Sequence, residues 1–202
     1  SGSRKTARGG SGGGSGKRRA IAASLAPTDH DWMAAAARLT QRARPLSRPN
    51  PGVAALVVHH GRVIARGWTR PGGRPHAEAE ALAGLSAEVL AEATLYVTLE
   101  PCAHQSARGP ACADLIAAAK PARVVIGQHD PDPRTAGQGR ARLEAAGIAT
   151  TLLDDPASAA SLAGFLTRQR LGRPWVTLKL ATSLDGCIAM AEGTSQWITG
   201  EA

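Results

Sequence analysis

The chain has 202 residues, 43% of them hydrophobic, and a formal net charge of +8. That is enough apolar material for one medium domain and a remnant, so a wholly disordered chain is excluded. No run approaches the roughly 18 consecutive apolar residues of a membrane span, and no apolar stretch follows the N-terminal basic residues as a secretory signal requires.

The charge is a property of the first segment. Residues 1–20 hold Arg4, Lys5, Arg8, Lys17, Arg18 and Arg19 and no acid, together with seven Gly and four Ser, while the remaining 182 residues carry only +2. Residues 1–27 therefore read as a disordered basic tail of linker composition. Asp29–Arg44 reads as a helix, with Thr28 or Asp29 as cap and Trp32, Met33, Ala36 and Leu39 at helical spacing. Pro45, Pro49 and Pro51 end it. Val53–His59 and Arg62–Trp68 are strands around a His60-Gly61 turn. Pro71–Pro75 is a loop, His76–Leu85 a helix, Thr94–Leu99 a strand, and Pro110–Ala119 a helix with Pro in its first turn. Arg123–Gly127 is a strand, Thr135–Ala146 a helix closed by Gly147, Ile148–Leu153 a strand and Pro156–Arg170 a helix. Alternating strands and helices imply an α/β sheet covered on both faces. After Gly172-Arg173-Pro174 a strand is expected over Trp175–Leu180 with no helix behind it. This places one domain over 28–170 and a second beginning over 171–202. The chain starts at Ser1 and stops at Ala202 just past that strand, so it is expected to be a piece of a longer protein.

The chemistry gathers in His76-Ala77-Glu78, Pro101-Cys102 and Cys112. One imidazole and two thiolates can hold a zinc ion and leave its fourth position to water. A strand end and two helix starts can bring them to one sheet edge, where helix dipoles favour thiolate. Glu78 follows His76 on the same turn and suits a proton shuttle between that water and a leaving amine. Two plainer readings compete: a saturated structural zinc with His104 or Cys187 as fourth ligand, and two ordinary core thiols. The three cysteines, odd and sparse, form no disulfide framework and suit an intracellular, cytoplasmic protein.

These elements resemble the zinc-dependent nucleoside and nucleobase deaminases. Within them, the chain over about 28–202 is similar to the deaminase half of the bifunctional riboflavin-biosynthesis deaminase/reductase family. The stretches that carry the likeness are Pro49-Asn50-Pro51, Gly67-Trp68-Thr69, Pro75–Leu82, Tyr96–His104, Gly109–Asp114 and Asp130–Pro133. Nine residues separate Cys102 from Cys112, where most nucleoside and tRNA deaminases have two. Arg173–Gly186 and Gly193–Gly200 look like the opening of the family's reductase domain.

The resemblance implies a three-layer α/β/α cytidine-deaminase-like domain with a central mixed sheet, followed by the first strand of a truncated dihydrofolate-reductase-like domain. It implies one zinc held by His76, Cys102 and Cys112, with Glu78 as catalytic acid and base. The implied substrate is 2,5-diamino-6-ribosylamino-4(3H)-pyrimidinone 5′-phosphate. Substrate contacts carry over to Asn50 at the base, His104 and Arg108 on the long loop, with Arg108 typed for phosphate, and Asp130 and Asp132 at the ribose. Ser195 matches a substrate position, and Thr182 and Trp197 NADPH-contacting positions, of the reductase, which some thirty residues cannot complete. Thr69 and Ala54 stand where the family frequently has His and Gly. Homo-oligomers are expected; nucleic acid and membrane partners are not. Two other functions compete: a zinc deaminase of guanine, cytidine or tRNA adenosine, and a non-catalytic zinc scaffold with a basic nucleic-acid-binding arm.

Overall fold

The computed structural model describes residues 26–104 and 106–194. Helix α1 spans Asp29–Leu39 and opens with a capping box in which Thr28 and Asp31 satisfy one another's backbone N–H groups. A single 3₁₀ turn, Thr40–Arg42, replaces the expected last helical turn. Strands β1 (Ala54–His59) and β2 (Arg62–Trp68) form the predicted hairpin. His60 and Gly61 both take positive φ, 48° and 71°, the combination that suits a two-residue connection between twisted strands. Helix α2 (Ala77–Leu82), the short α3 (Ala87–Leu90) and strand β3 (Thr94–Val97) follow. Then come α4 (Cys112–Ala119), β4 (Arg123–Ile126), α5 (Gln138–Ala145), β5 (Ala149–Leu152), α6 (Pro156–Ser161) and α7 (Ala163–Leu171).

The five strands make one sheet in the order β2-β1-β3-β4-β5. β1 runs antiparallel to β2 and β3, whereas β3, β4 and β5 are parallel, so the sheet is mixed, as expected. Period-two alternation sorts its two faces. Leu56, Val58, Tyr96 and Val125 meet Met33 and Ala36 of α1. Ala55, Val57, Leu95, Val97, Val124 and Ile126 meet Ala77, Ala81, Ile116 and Leu143 of α2, α4 and α5. The result is three layers, α/β/α.

Two glycines set the spacing of this stack. A Cβ at Gly67 would lie 2.0 Å from the carbonyl oxygen of Ala77, and one at Gly139 would lie 2.0 Å from that of Pro101. Backbone meets backbone at both places, directly beside His76 and Cys102.

Three expectations are corrected. The helix expected over Pro156–Arg170 is two helices, because Leu162 leaves helical geometry (φ −104°, ψ 7°) to bury its side chain in the core. The helix expected from Thr135 begins at Gln138, because residues 132–137 are occupied in turns. Trp175–Leu180 is not a strand: among the described residues none pairs with it, and Trp175, Val176, Leu178 and Leu180 are exposed. A strand has no hydrogen bonds of its own and needs a neighbour. Ser195, Trp197 and most of the N-terminal tail lie outside the described residues.

Candidate active site

The site lies where β3, parallel to β4 and β5, runs out into the loop that carries Cys102. His76 is the N-cap residue of α2, and Cys112 is the first residue of α4. Their ligand atoms converge with that of Cys102: all lie within 4.8 Å of one another. His76 Nδ1 is 3.2 Å from Cys112 Sγ and 3.6 Å from Cys102 Sγ. The backbone fixes the sulfurs, since the Cys112 N–H donates to Cys102 Sγ (3.3 Å) and the Ala113 N–H donates to the Cys102 carbonyl (3.1 Å).

A hydrogen bond from the Cys112 thiol, helped by His76 and the Cys112 N–H, lowers the Cys102 thiol to about 4. The same bond, with burial, pushes Cys112 up. An imidazole and two such sulfurs are the donor set of a zinc site, so these residues fit zinc. Among the described residues no fourth ligand joins them. Cys187 is exposed and contacts Asp185, and His104 Nδ1 faces Thr135 Oγ1 at 3.5 Å. Among the described residues the group is thus a set of three ligands.

Glu78 is 3% exposed. Burial pushes its carboxyl pKa up against the opposing effect of His76. Glu78, His76 and Cys102 open into a cavity of about 270 Å³. Asn50, His104, Arg108, Asp130 and Asp132 line the same cavity, so every expected residue of the deaminase part is brought together. Asn50 Nδ2 is engaged by the Gly73 carbonyl (2.9 Å) and lies 3.0 Å from His76 Nε2. Its amide oxygen is left for a donor. Arg108 donates to the Gly72 carbonyl. Thr69 also lines the cavity, but its hydroxyl accepts from Val53 N–H at 3.0 Å. Thr182 is exposed beyond Leu171 and does not line the cavity.

Sequence reasoning missed several contributors. Arg74 and Arg134 add two cations, and Phe165 and Gln169 of α7 form part of the wall. Arg134 pairs with Asp132 at 2.6 Å, which holds that carboxyl down at about 2. Glu100 is the largest omission. It is 3% exposed and accepts from the N–H groups of Asp130 (3.3 Å), Gly137 (3.1 Å) and Arg140 (3.1 Å), with His129 Nδ1 at 2.7 Å. One carboxylate thus anchors the whole 130–140 loop. Its signal was present as Glu100-Pro101-Cys102, but its partners lie about 30–40 residues away.

Residues 26–128 match the family model described as the cytidine and deoxycytidylate deaminase zinc-binding region, and residues 174–202 match the RibD C-terminal domain. The riboflavin biosynthesis protein RibD of Escherichia coli (strain K12) is 46% identical over 173 residues, covering 85% of this chain and 46% of that protein. RibD of Aquifex aeolicus is 40% identical over 174 residues, 86% of this chain and 48% of that protein. A crystal structure of a Thermotoga maritima diaminohydroxyphosphoribosylaminopyrimidine deaminase/5-amino-6-(5-phosphoribosylamino)uracil reductase is similar with a TM-score of 0.74 and 37% identity, over 85% of this chain and 50% of that one. The structure of Acinetobacter baumannii RibD, form 2, gives 0.71 and 40%, over 85% and 48%. The chain spans about half the length of the curated relatives it matches.

Proposed function

Because the chain belongs to the cytidine and deoxycytidylate deaminase zinc-binding family, we propose that it deaminates 2,5-diamino-6-ribosylamino-4(3H)-pyrimidinone 5′-phosphate to 5-amino-6-(5-phosphoribosylamino)uracil and ammonia, a step of riboflavin biosynthesis. The observation that carries this reading is one cavity lined both by His76, Cys102 and Glu78 and by three cations, Arg74, Arg108 and Arg134, suited to a phosphate. The likeness to RibD proteins selects this substrate among those of the family.

His76, Cys102 and Cys112 would hold the zinc ion, which would supply Lewis acidity that lowers the pKa of water from 15.7 toward about 7. The protein's own groups do the rest. Glu78 accepts a proton from the attacking water and returns it to the departing nitrogen, so a C–O bond forms, a C–N bond breaks and ammonia leaves. A carboxyl whose pKa is raised by burial is suited to carrying that proton near neutral pH. Asn50 offers its amide oxygen to an N–H of the ring. Arg108 and Arg74 pair with the phosphate. Asp130 keeps one carboxylate oxygen for a ribose hydroxyl while the other accepts from the Asp132 N–H (2.9 Å).

Residues 171–202 are read as the start of a reductase domain. NADPH use, with contacts at Thr182 and Trp197 and a substrate contact at Ser195, belongs to a chain that carries that domain whole. The protein is further read as a cytoplasmic homo-oligomer acting on a small molecule, without nucleic acid.

The test is ammonia release by zinc-loaded protein from the diaminopyrimidinone phosphate, guanine and cytidine, with metal analysis of the same sample. The phosphate substrate is expected to be turned over fastest. Faster release from guanine or cytidine would overturn the substrate. Glu78→Gln is expected to cut turnover about 10²- to 10⁴-fold at unchanged zinc content, and turnover that persists would remove Glu78 from the mechanism.

A further inference from the structure

At the opposite end of β1 from the active site, a second group of potential metal ligands meets. His59 closes β1, His60 follows in the left-handed turn, and Glu92 lies on the turn between α3 and β3. Sheet register brings them together. Val58 is paired with Thr94 in the antiparallel β1–β3 ladder, and continuing that pairing by two residues sets His60 opposite Glu92. Neighbouring residues on a strand point to opposite faces. The positive φ of His60, 48°, breaks that rule and swings its ring beside that of His59, with centroids 3.9 Å apart.

Both imidazoles then face one oxygen: His59 Nε2 is 3.5 Å and His60 Nε2 3.3 Å from Glu92 Oε2. All three ligand atoms lie within 4.8 Å of one another. These separations exceed the 2.7–3.2 Å of a good N–H···O hydrogen bond. They match the roughly 3.3–3.4 Å edge of a tetrahedron whose centre lies 2.0–2.1 Å from each ligand. We propose that His59, His60 and Glu92 form a second cation site, for Zn²⁺ or another divalent ion that accepts imidazole, such as Ni²⁺ or Cu²⁺. The site pins the β1–β2 turn to the start of β3. Its ligands are partly exposed, so an ion enters directly from solvent and water completes its coordination. β1 has six residues, on the order of 20 Å at 3.3 Å per residue, so this ion stands apart from the deaminase chemistry and the inference does not rest on it.

The experiment is a Zn²⁺ titration of the full chain, read as zinc retained per chain and as melting temperature. The wild type is expected to take up a second equivalent, with a further rise in melting temperature as it fills. His60→Asn, whose side chain tolerates the left-handed turn, and Glu92→Gln are each expected to lose that equivalent and the rise, with ammonia release unchanged. Cys112→Ser is expected to keep it, which separates this site from the catalytic one. A wild type that saturates at a single equivalent, or variants that retain as much zinc as the wild type, would overturn the proposal.

Discussion

The two walls of the active-site cavity are built to different tolerances. The wall that carries His76, Glu78, Cys102 and Cys112 is backbone-clamped: these groups sit at helix starts and a strand exit, the carboxylate and both thiols are buried, and a main-chain N–H holds one sulfur. The facing wall, with His104, Arg108, Asp132 and Arg134, is made of loop side chains that are half-buried or exposed. Its segment with Asp132 and Arg134 hangs on Glu100 and on the Asp132–Arg134 pair. For the proposed function the difference is apt: bond making needs placement to a fraction of an ångström, whereas a sugar phosphate can be gripped by long, adaptable cations.

Substitutions in the two walls are therefore expected to fail differently. Cys112→Ser removes a proposed thiolate ligand, and both zinc content and ammonia release are expected to collapse, the latter by about 10³-fold or more; retention of metal would show that the sulfur is not a ligand. Glu100→Gln turns one accepting oxygen into a donor facing N–H groups. It is expected to cost about 1–3 kcal/mol of stability and to raise KM more than it lowers kcat; an unchanged melting temperature would deny Glu100 its anchoring role. Arg108→Ala is expected to raise KM roughly tenfold, about 1.4 kcal/mol, with kcat nearly unchanged, and to have no effect on a substrate analogue without phosphate. An equal effect on both substrates would move the phosphate elsewhere.

The smallest effect is one of pH. Burial pushes the Asp130 carboxyl from its usual 3.8 up to about 6. Between pH 4 and 6 the folded protein keeps a proton that the unfolded chain releases, so stability falls as pH rises through that window. Asp130→Asn escapes the loss. Its stability, followed as melting temperature, is expected to match the wild type near pH 4 and to exceed it above pH 6, by on the order of 1 kcal/mol after allowing for solvent near the loop. A gap that does not change with pH would contradict this account.

The ligand wall was legible in the sequence because local signals carry it. His76-Ala77-Glu78 and Pro101-Cys102 bring their residue types within single turns, Met33 and Ala36 show their buried face by helical spacing, and Val57 and Leu95 sit in short apolar runs. The facing wall was legible only in part. Arg74, Arg134, Phe165 and Gln169 are ordinary residues until tertiary packing aims them at one space. The start of α5 was misread because Glu100, 37 residues before Gly137, holds the preceding turn. Trp175–Leu180 has the composition of a strand, but a strand forms only where another lends it hydrogen bonds.

Gly67 and Gly139 reach the reaction without touching any reactant. Each lets a main chain press against the residue adjoining a metal ligand, at Ala77 and Pro101. Even a methyl group at either position would have to lift a helix by more than an ångström, and the imidazole or sulfur next door would travel with it. In a library randomised at both codons and screened for the proposed ammonia release, glycine should return at both, a constraint that no map of pocket-lining side chains would disclose.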